Sequence, residues 1–229
     1  MSTIVSNLDL LKRSPLFSLL TAAQAEAIAL TVNKRHYKRG EILVRQHHQA
    51  NELFVLLAGR VRVFSSDSKG RQLVLNKLRG GDILDEMSLI DDQPHAATAQ
   101  AEIPTDVLTV SRSDFQRCLQ ENRHVTYAVM NHLVQRLRQA NGKIESLALM
   151  DVHGRVERAL LEQAEPTDDG LMVIHEKISR QDIAKMVGAS REMVSRVMKD
   201  LEAQGYIQTD SPCRMTLREP LLRHLASQP

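Results

Sequence analysis

Apolar residues in the first half of the chain come in short bursts bounded by turn residues: E-I-L-V-R-Q from Glu41, E-L-F-V-L-L-A from Glu52, R-V-R-V-F from Arg60, R-Q-L-V-L-N-K-L from Arg71 and D-V-L-T-V from Asp106. Bursts of this length, punctuated by D-S-K-G and R-G-G-D, predict short antiparallel strands folded as a sandwich or small barrel. Gly40, Gly59, Gly70 and the Gly80–Gly81 pair fall at turns or strand junctions, where a positive φ is tolerated. Ahead of the strands, the Ala-rich stretch Ala22–Thr31 predicts a helix packed on them.

After Arg112 the period changes. Met130, Leu133, Leu137, Ala140, Ile144 and Leu147 recur at alternating steps of three and four, a helical seam. Such a helix either covers its own domain's core or pairs with a second copy. The stripe is narrow and flanked by Gln135, Arg136, Arg138, Lys143 and Glu145, which favours a coiled coil in a homodimer, because a helix lying on a globular core shows a wider apolar face. M-D-V-H-G at Met150–Gly154 fits a hinge. Beyond it Val156, Ala159, Leu160 and Ala164 form a new helical face, P-T-D-D-G breaks it, and L-M-V-I-H-E-K-I predicts a strand pair. The expected divisions are residues 1–122, 123–150 and 151–229.

The last of these regions holds the most specific pattern. Ser179–Asp182 forms a capping-box start with Asp in the usual Glu or Gln position, and Ile183, Ala184 and Val187 supply the buried stripe of a two-turn helix that Gly188 ends. Ser190 then caps a second helix whose inner face is Val194, Val197 and Leu201 and which Gly205 terminates. Helix, short turn, helix is the unit that places its second helix in a major groove. The outward residues of that helix are Arg191, Glu192, Ser195, Arg196 and Lys199, all on one face. Arg bonds guanine bidentately, Glu accepts from cytosine, and Ser or Lys serves bases or phosphates. The alternative is a solvated face with Glu192 paired to Arg196. Arg180, Gln181 and Ser190, at the two helix starts, complete the candidate DNA contacts. Arg214 and Arg218 lie in a hairpin-like tail, T-D-S-P-C-R-M-T-L-R, suited to a wing that touches phosphates.

Bulk properties narrow the picture only slightly. With 229 residues and a net charge of +2, a nucleic-acid footprint must come from local clustering of Lys and Arg. No run approaches a membrane span, and M-S-T-I-V-S-N-L-D-L lacks the order of a signal peptide, so the expected compartment is the cytoplasm, with no membrane partner. The two cysteines, Cys118 and Cys213, are too few for a thiolate-only cluster or a Cys-rich zinc site and are expected to be reduced thiols. His47, His48 and His95 are scattered rather than arranged as ligands, so no metal is expected. No nucleophile elbow, Walker loop or H-E-x-x-H occurs, which argues against an enzyme.

The segment S-R-Q-D-I-A-K-M-V-G-A-S-R-E-M-V-S-R-V-M-K-D-L-E resembles the DNA-binding segment of the cyclic-AMP receptor and fumarate–nitrate regulator family of bacterial transcription factors. L-A-G-R-V-R-V-F and G-G-D-I-L-D-E-M-S-L-I-D-D-Q-P resemble that family's sensor barrel, and L-A-L-M-D-V-H-G-R-V its dimer helix and hinge. The resemblance implies an α+β chain: an N-terminal cyclic-nucleotide-binding-like β-barrel, a long dimerisation helix and a C-terminal winged helix-turn-helix. The activator branch reads T-G-T-G-A half-sites through R-E-x-x-x-R, here Arg191, Glu192 and Arg196. The oxygen-sensing branch shows E-x-x-S-R, which Glu192, Ser195 and Arg196 also satisfy. The expected partners are double-stranded DNA and a second copy, with RNA polymerase a further candidate through the Thr167–Gly170 turn. A ligand-binding module without DNA-binding activity is the alternative.

The same resemblance exposes departures in the sensor. Cyclic-nucleotide-binding relatives hold the ligand with G-E-x-x-L followed by an R-S or R-T pair. Here Glu86 is retained, Asp85 replaces the glycine, and His95–Ala96 replaces the R-S pair. The T-S pair that the cyclic-AMP branch offers to adenine is Ala140–Asn141, and the usual Gly-Asp turn is His47–His48. Asp85, Glu86, His95, Ala96, Ala140 and Asn141 are thus the candidate ligand positions, with Glu86 either a retained contact or a buried barrel residue. Any effector is expected to be a nucleotide other than cyclic AMP.

Overall fold

A computed structural model of the chain describes residues 7–12, 14–167, 171–175, 178–211 and 214–218. It divides into two compact units, Met1–Arg138 and Gln139–Pro229.

The first unit contains α1 (Asn7–Lys12), a 3-10 turn at Phe17–Leu19, α2 (Ala22–Ala29), β1 (Asn33–Tyr37), β2 (Ile42–Val44), β3 (Glu52–Ala58), β4 (Arg60–Ser66), β5 (Gln72–Arg79), β6 (Ile83–Leu84), α3 (Glu86–Asp91), β7 (Thr98–Ala101), β8 (Thr105–Ser111) and α4 (Arg112–Glu121). The long helix α5 (Arg123–Leu149) begins here and crosses the unit boundary. The strands form two four-stranded antiparallel sheets, ordered β1-β8-β3-β6 and β2-β7-β4-β5.

The apolar runs explain how two cores form. Successive residues on a strand face opposite sides of the sheet. On β3, Leu53 and Val55 join a core with Phe17, Ile28, Phe115, Val125 and Val129, while Phe54 and Leu56 join a second core with Val44, Val61, Val63 and Leu78. On β8, Leu108 and Val110 serve the first and Val107 the second. Both faces of the sheet are covered, so β3 reads as a continuous apolar burst rather than an alternation.

Several elements were not legible in that pattern. β1, N-K-R-H-Y, has a mostly exposed, polar sequence, yet it pairs with β8 along its whole length. Its side chains reach neighbouring carboxylates, Arg35 in an ion pair with Glu52 at 2.7 Å and His36 Nδ1 in a hydrogen-bond contact with Asp106 at 2.9 Å. The short α1, α3, β6 and β7 carry too few residues to show a period. Cys118 is buried, which pushes its thiol up to about 11 and keeps it protonated and unreactive; Cys213 lies outside the described residues.

The second unit contains α6 (Val152–Gln163), β9 (Glu165–Pro166), β10 (Met172–Ile174), α7 (Arg180–Val187), α8 (Arg191–Ala203), β11 (Ile207–Ser211) and β12 (Arg214–Leu217). The Asp151 side chain accepts from the Gly154 amide at 2.8 Å and so caps α6 just after α5 ends, at the expected hinge. The four strands form one antiparallel sheet, β11-β12-β10-β9. L-M-V-I-H-E-K-I contributes one described strand rather than a pair: β10 is paired by β9 and β12 from outside that segment. Most of the Thr167–Gly170 turn, Asp168–Gly170, lies outside the described residues. Among the described residues no helix is long and apolar enough to cross a membrane.

One glycine constrains the sensor unit strongly. Gly59 has φ +101°, and a Cβ there would lie 2.4 Å from Thr105 Oγ1 and 2.6 Å from Thr105 Cα, whereas Gly70, at φ +76°, faces open space. Gly59→Ala should combine backbone strain with overpacking and cost about 2–4 kcal/mol, against about 1–2 kcal/mol for Gly70→Ala. Urea unfolding midpoints of the two variants check the difference.

Candidate nucleic-acid interface and sensor site

The helix-turn-helix is built as its capping residues require. Ser179 Oγ accepts from the Asp182 amide at 3.1 Å, Asp182 accepts from the Ser179 amide at 3.3 Å, and Gly188 ends α7 in the left-handed region at φ +65°. Ser190 Oγ accepts from the Met193 amide at 3.2 Å and starts α8. Ile183, Ala184 and Val187 of α7 pack with Val194, Val197, Met198 and Leu201 of α8 and with Val156 and Leu160 of α6. Burial of these side chains fixes the rotation of α8 and therefore which side chains face out.

Arg191, Glu192, Arg196 and Lys199 are exposed and Ser195 is half-buried. At ~100° per residue they share about 140° of arc. Among the described residues none of these charged groups has an ion-pair partner, so the Glu192–Arg196 pair of a merely solvated face is not formed. Glu192's carboxyl is held below its ordinary value by its own backbone amide first, then by the Ser190 hydroxyl and the Arg191 charge. It is therefore an ionised acceptor suited to the amino group of cytosine.

Three of the expected contacts also have local duties. Arg180 binds Glu202 at 3.1 Å and ties α7 to α8. Ser190 is engaged as the cap of α8, and Ser195 Oγ donates to the Arg191 carbonyl at 2.8 Å, leaving only its acceptor capacity. Gln181 is exposed at the start of α7. β11 and β12 form the expected hairpin, with Arg214 exposed and Arg218 bonded to the Gln208 side chain. The role of Glu202 was missed: nothing near it in the sequence announces a partner for Arg180 22 residues away.

In the sensor unit the chain leaves β6 and turns sharply at Asp85, whose φ of +79° is a conformation that suits glycine and that Asp tolerates better than most residues. Its carboxylate is buried and Oδ1 lies 2.7 Å from His95 Nδ1, also buried. The two departures from the family pattern are thus each other's partners: the glycine-to-Asp change is met by the arginine-to-His change. The His47 amide donates to the His95 carbonyl and the His95 amide to the His48 carbonyl, both at 2.9 Å, which anchors the His95 backbone. Ala96, the next residue, is exposed.

Glu86, fully buried at the start of α3, receives the Arg136 guanidinium on Oε1, with His132 Nε2 3.7 Å from the same oxygen. Asp85 Oδ2 and Glu86 Oε2 are buried without hydrogen-bond partners. The roles of His132 and Arg136 were missed, although their i, i+4 spacing beside core-packed Val129 and Leu133 was a usable signal. Ala140 and Asn141 belong to the second compact unit, where both are exposed. Among the described residues no cluster of His, Cys, Asp and Glu could hold a metal ion.

On α5, Met130, Leu137, Ala140, Ile144 and Leu147 are exposed, whereas Leu133 packs on its own core. Tyr127 and Val134, absent from the expected seam, are exposed too, at 66% and 49%.

A helix-turn-helix with an unpaired, charged reading face, joined in one chain to a double-sheet sensor unit, defines a DNA-binding transcription regulator. Residues 34–122 match the cyclic nucleotide-binding domain and residues 154–223 the Crp-like helix-turn-helix domain. The chain is 32% identical over 184 residues to the cAMP-activated global transcriptional regulator Vfr of Pseudomonas aeruginosa, covering 76% of this chain and 85% of the relative. It is 32% identical over 177 residues to the cAMP-activated global transcriptional regulator CRP of Salmonella typhimurium, covering 75% and 83%. A crystal structure of a Crp/Fnr-family transcriptional regulator from Eubacterium rectale superposes with a TM-score of 0.76 at 21% identity, over 94% of this chain and 100% of the other. The chain belongs to the CRP/FNR family, whose members are transcription regulators rather than enzymes.

The buried Asp85–His95 pair has two measurable consequences. Burial raises Asp85's carboxyl above its ordinary value, against the lowering effects of His95 and Ser88, and Glu86's charge adds to the rise. A raised carboxyl stays protonated longer in the folded than in the unfolded chain. The stability it contributes is complete below the ordinary carboxylate range and is lost as pH rises through the raised value. Asp85→Asn should remove this part of the pH dependence, which begins in the ordinary carboxylate range and extends above it, measured by urea unfolding at successive pH values. His95→Ala, which leaves the carboxylate without its partner, should cost about 1–3 kcal/mol at neutral pH.

Proposed function

We propose that the chain is a homodimeric regulator that binds two-fold related half-sites of the T-G-T-G-A type and whose sensor is not tuned to cyclic AMP. The observation that carries the DNA reading is the set of exposed, ion-pair-free side chains Arg191, Glu192, Arg196 and Lys199 on a helix whose rotation is fixed by its core. Arg191 serves a guanine, Glu192 a cytosine, and Arg196 and Lys199 bases or phosphates, with Gln181, Ser190, Arg214 and the Arg180–Glu202 clamp supporting the approach. The dimer forms along α5, where Met130, Leu137 and Ile144 repeat every seven residues and stand 56%, 61% and 63% exposed. RNA polymerase is a further partner, and the compartment is the cytoplasm. A ligand-binding module without DNA binding would have no use for the α8 face.

Selection of bound sequences from random duplexes should return inverted repeats spaced by about one helical turn. Unsymmetrical sites, or no enrichment, would refute the reading. Arg191→Ala should cost about 1–3 kcal/mol on the preferred site and relax the choice at one base pair. Lys199→Ala, if the contact is to phosphate, should weaken all sequences equally and reduce the salt slope by about one. Competition binding across single-base variants separates the two.

Two of the relatives are named as cyclic-AMP-activated, but the pattern that holds the phosphate in that branch is altered here. The position expected to carry an arginine is His95, and it is engaged by Asp85, whose carboxylate adds negative charge beside it. A buried phosphate needs charge-assisted donors. Losing about two such contacts weakens binding by about ten- to a thousandfold. The effector is then a different nucleotide, or none is required. The combined variant Asp85→Gly, His95→Arg, Ala96→Ser should gain cyclic AMP affinity in calorimetric titration. Low-micromolar binding by the unaltered protein, with a matching gain in DNA affinity, would overturn this part.

A further inference from the structure

Glu202 lies in line with two of the reading residues of α8. It comes about three helical turns after Arg191 and about two after Ser195, and at ~100° per residue the three stand within about 40° of one another around the axis. Glu202 is exposed. A carboxylate there faces the side from which a duplex approaches Arg191 and Ser195. Against DNA phosphates it is a like charge, and like charges set against each other oppose docking.

In the free protein that charge is answered from α7. Arg180 is the first residue of α7, and its Nη2 donates to Glu202 Oε1 at 3.1 Å. Lys199, three residues before Glu202 on the same helix, is exposed and takes no part, so it stays available to DNA. Asp182, in the first turn of α7, accepts from the amide and the hydroxyl of Ser179. Among the described residues the guanidinium meets Glu202 through Nη2 alone, which leaves its other N–H groups for further acceptors. The two side chains are 32% and 41% exposed, so water and salt screen the pair and it is weak. A phosphate binds the same group more strongly, because it can accept two parallel N–H bonds from the guanidinium fork. With α8 in a major groove, the first helix of the unit crosses the DNA backbone, which brings the opening residue of α7 toward phosphates.

We propose that Glu202 is an internal stand-in for a DNA phosphate: it holds the Arg180 guanidinium against α8 in the free protein and gives it up when a duplex docks. The inference rests on the placement of α8 in the major groove. Glu202 is then a positioning residue that lowers affinity for every duplex alike, because the pair must open before Arg180 can bind a phosphate. The choice of bases stays with the rest of the face.

The test measures binding of the full-length chain to a duplex carrying a T-G-T-G-A inverted repeat and to a scrambled duplex of equal length, across a salt series. The proteins are the unaltered chain, Glu202→Gln, Arg180→Gln and the double variant, each checked for folding by urea unfolding. Glu202→Gln should bind both duplexes about two- to fivefold more tightly. Arg180→Gln should weaken both and reduce the salt slope by about 0.9. The gain from Glu202→Gln should shrink when Arg180 is absent, since no pair is then left to open. An unchanged slope in Arg180→Gln means that the guanidinium stays on Glu202, and it overturns the exchange. Unchanged or weaker binding by Glu202→Gln overturns it too, as does a gain of equal size without Arg180, which makes Glu202 a simple repulsive charge. If the unaltered chain prefers neither duplex, the T-G-T-G-A reading of α8 fails and the proposal with it; a clear preference with any of the preceding results overturns the exchange alone.

Discussion

The buried carboxylate of Glu86 is the constraint around which the sensor unit is arranged. A fully buried charge is tolerable only when an opposite charge and hydrogen bonds meet it, and here Arg136, with His132 one turn earlier, supplies them from α5. The demand therefore runs from α3, beside the candidate sensor site, to the first part of the long helix. Val125, Val129 and Leu133 pack the same helix onto the core that α4 and β3 share. With one face committed to hydrocarbon and an adjacent line committed to Glu86, the remaining face of α5, with Tyr127, Met130, Val134 and Leu137, is left outward. Buried ion pairs of this kind are weak sources of net stability. Their better attested value is specificity, in this case the rotation of α5 about its own axis.

Beside Glu86, the sensor site contains a second buried carboxylate with its own partner. Asp85 and His95 bond each other from positions ten residues apart, and the backbone around His95 is held by His47 and His48. Each of these two carboxylates uses one oxygen on its partner, while Asp85 Oδ2 and Glu86 Oε2 are buried without hydrogen-bond partners.

The DNA-binding unit solves a different problem, presenting charge rather than burying it. Its small core is contributed by one stripe from each of α6, α7 and α8, and the caps at Ser179, Gly188 and Ser190 consume the helix ends that would otherwise need solvent or ligand. The Arg180–Glu202 clamp joins α7 to α8 at the surface. With α8 held at both ends and along its inner face, the outward side chains need no ion pairs to keep their place, and their charges stay available.

The helix-turn-helix was the most legible part of the chain because everything that specifies it is local. Caps three residues from their targets, a left-handed glycine and apolar positions at steps of three and four all act within one or two turns. The apolar strands β3, β4 and β8 were legible for a similar reason, since burial on both faces leaves a continuous signature. β1 was not, because a polar, mostly exposed strand is held by its backbone pairing with β8, which no local period reveals. The seam of α5 was half legible: its period was plain, but Leu133 faces the core and Val134 faces out, and only the position of the sheet beneath the helix decides between them. The sensor site was the least legible. The sequence alone showed Asp85 and His95 as two losses, and the tertiary structure made them one interaction, because electrostatic partners are chosen by distance in space and a single chain records only distance along itself.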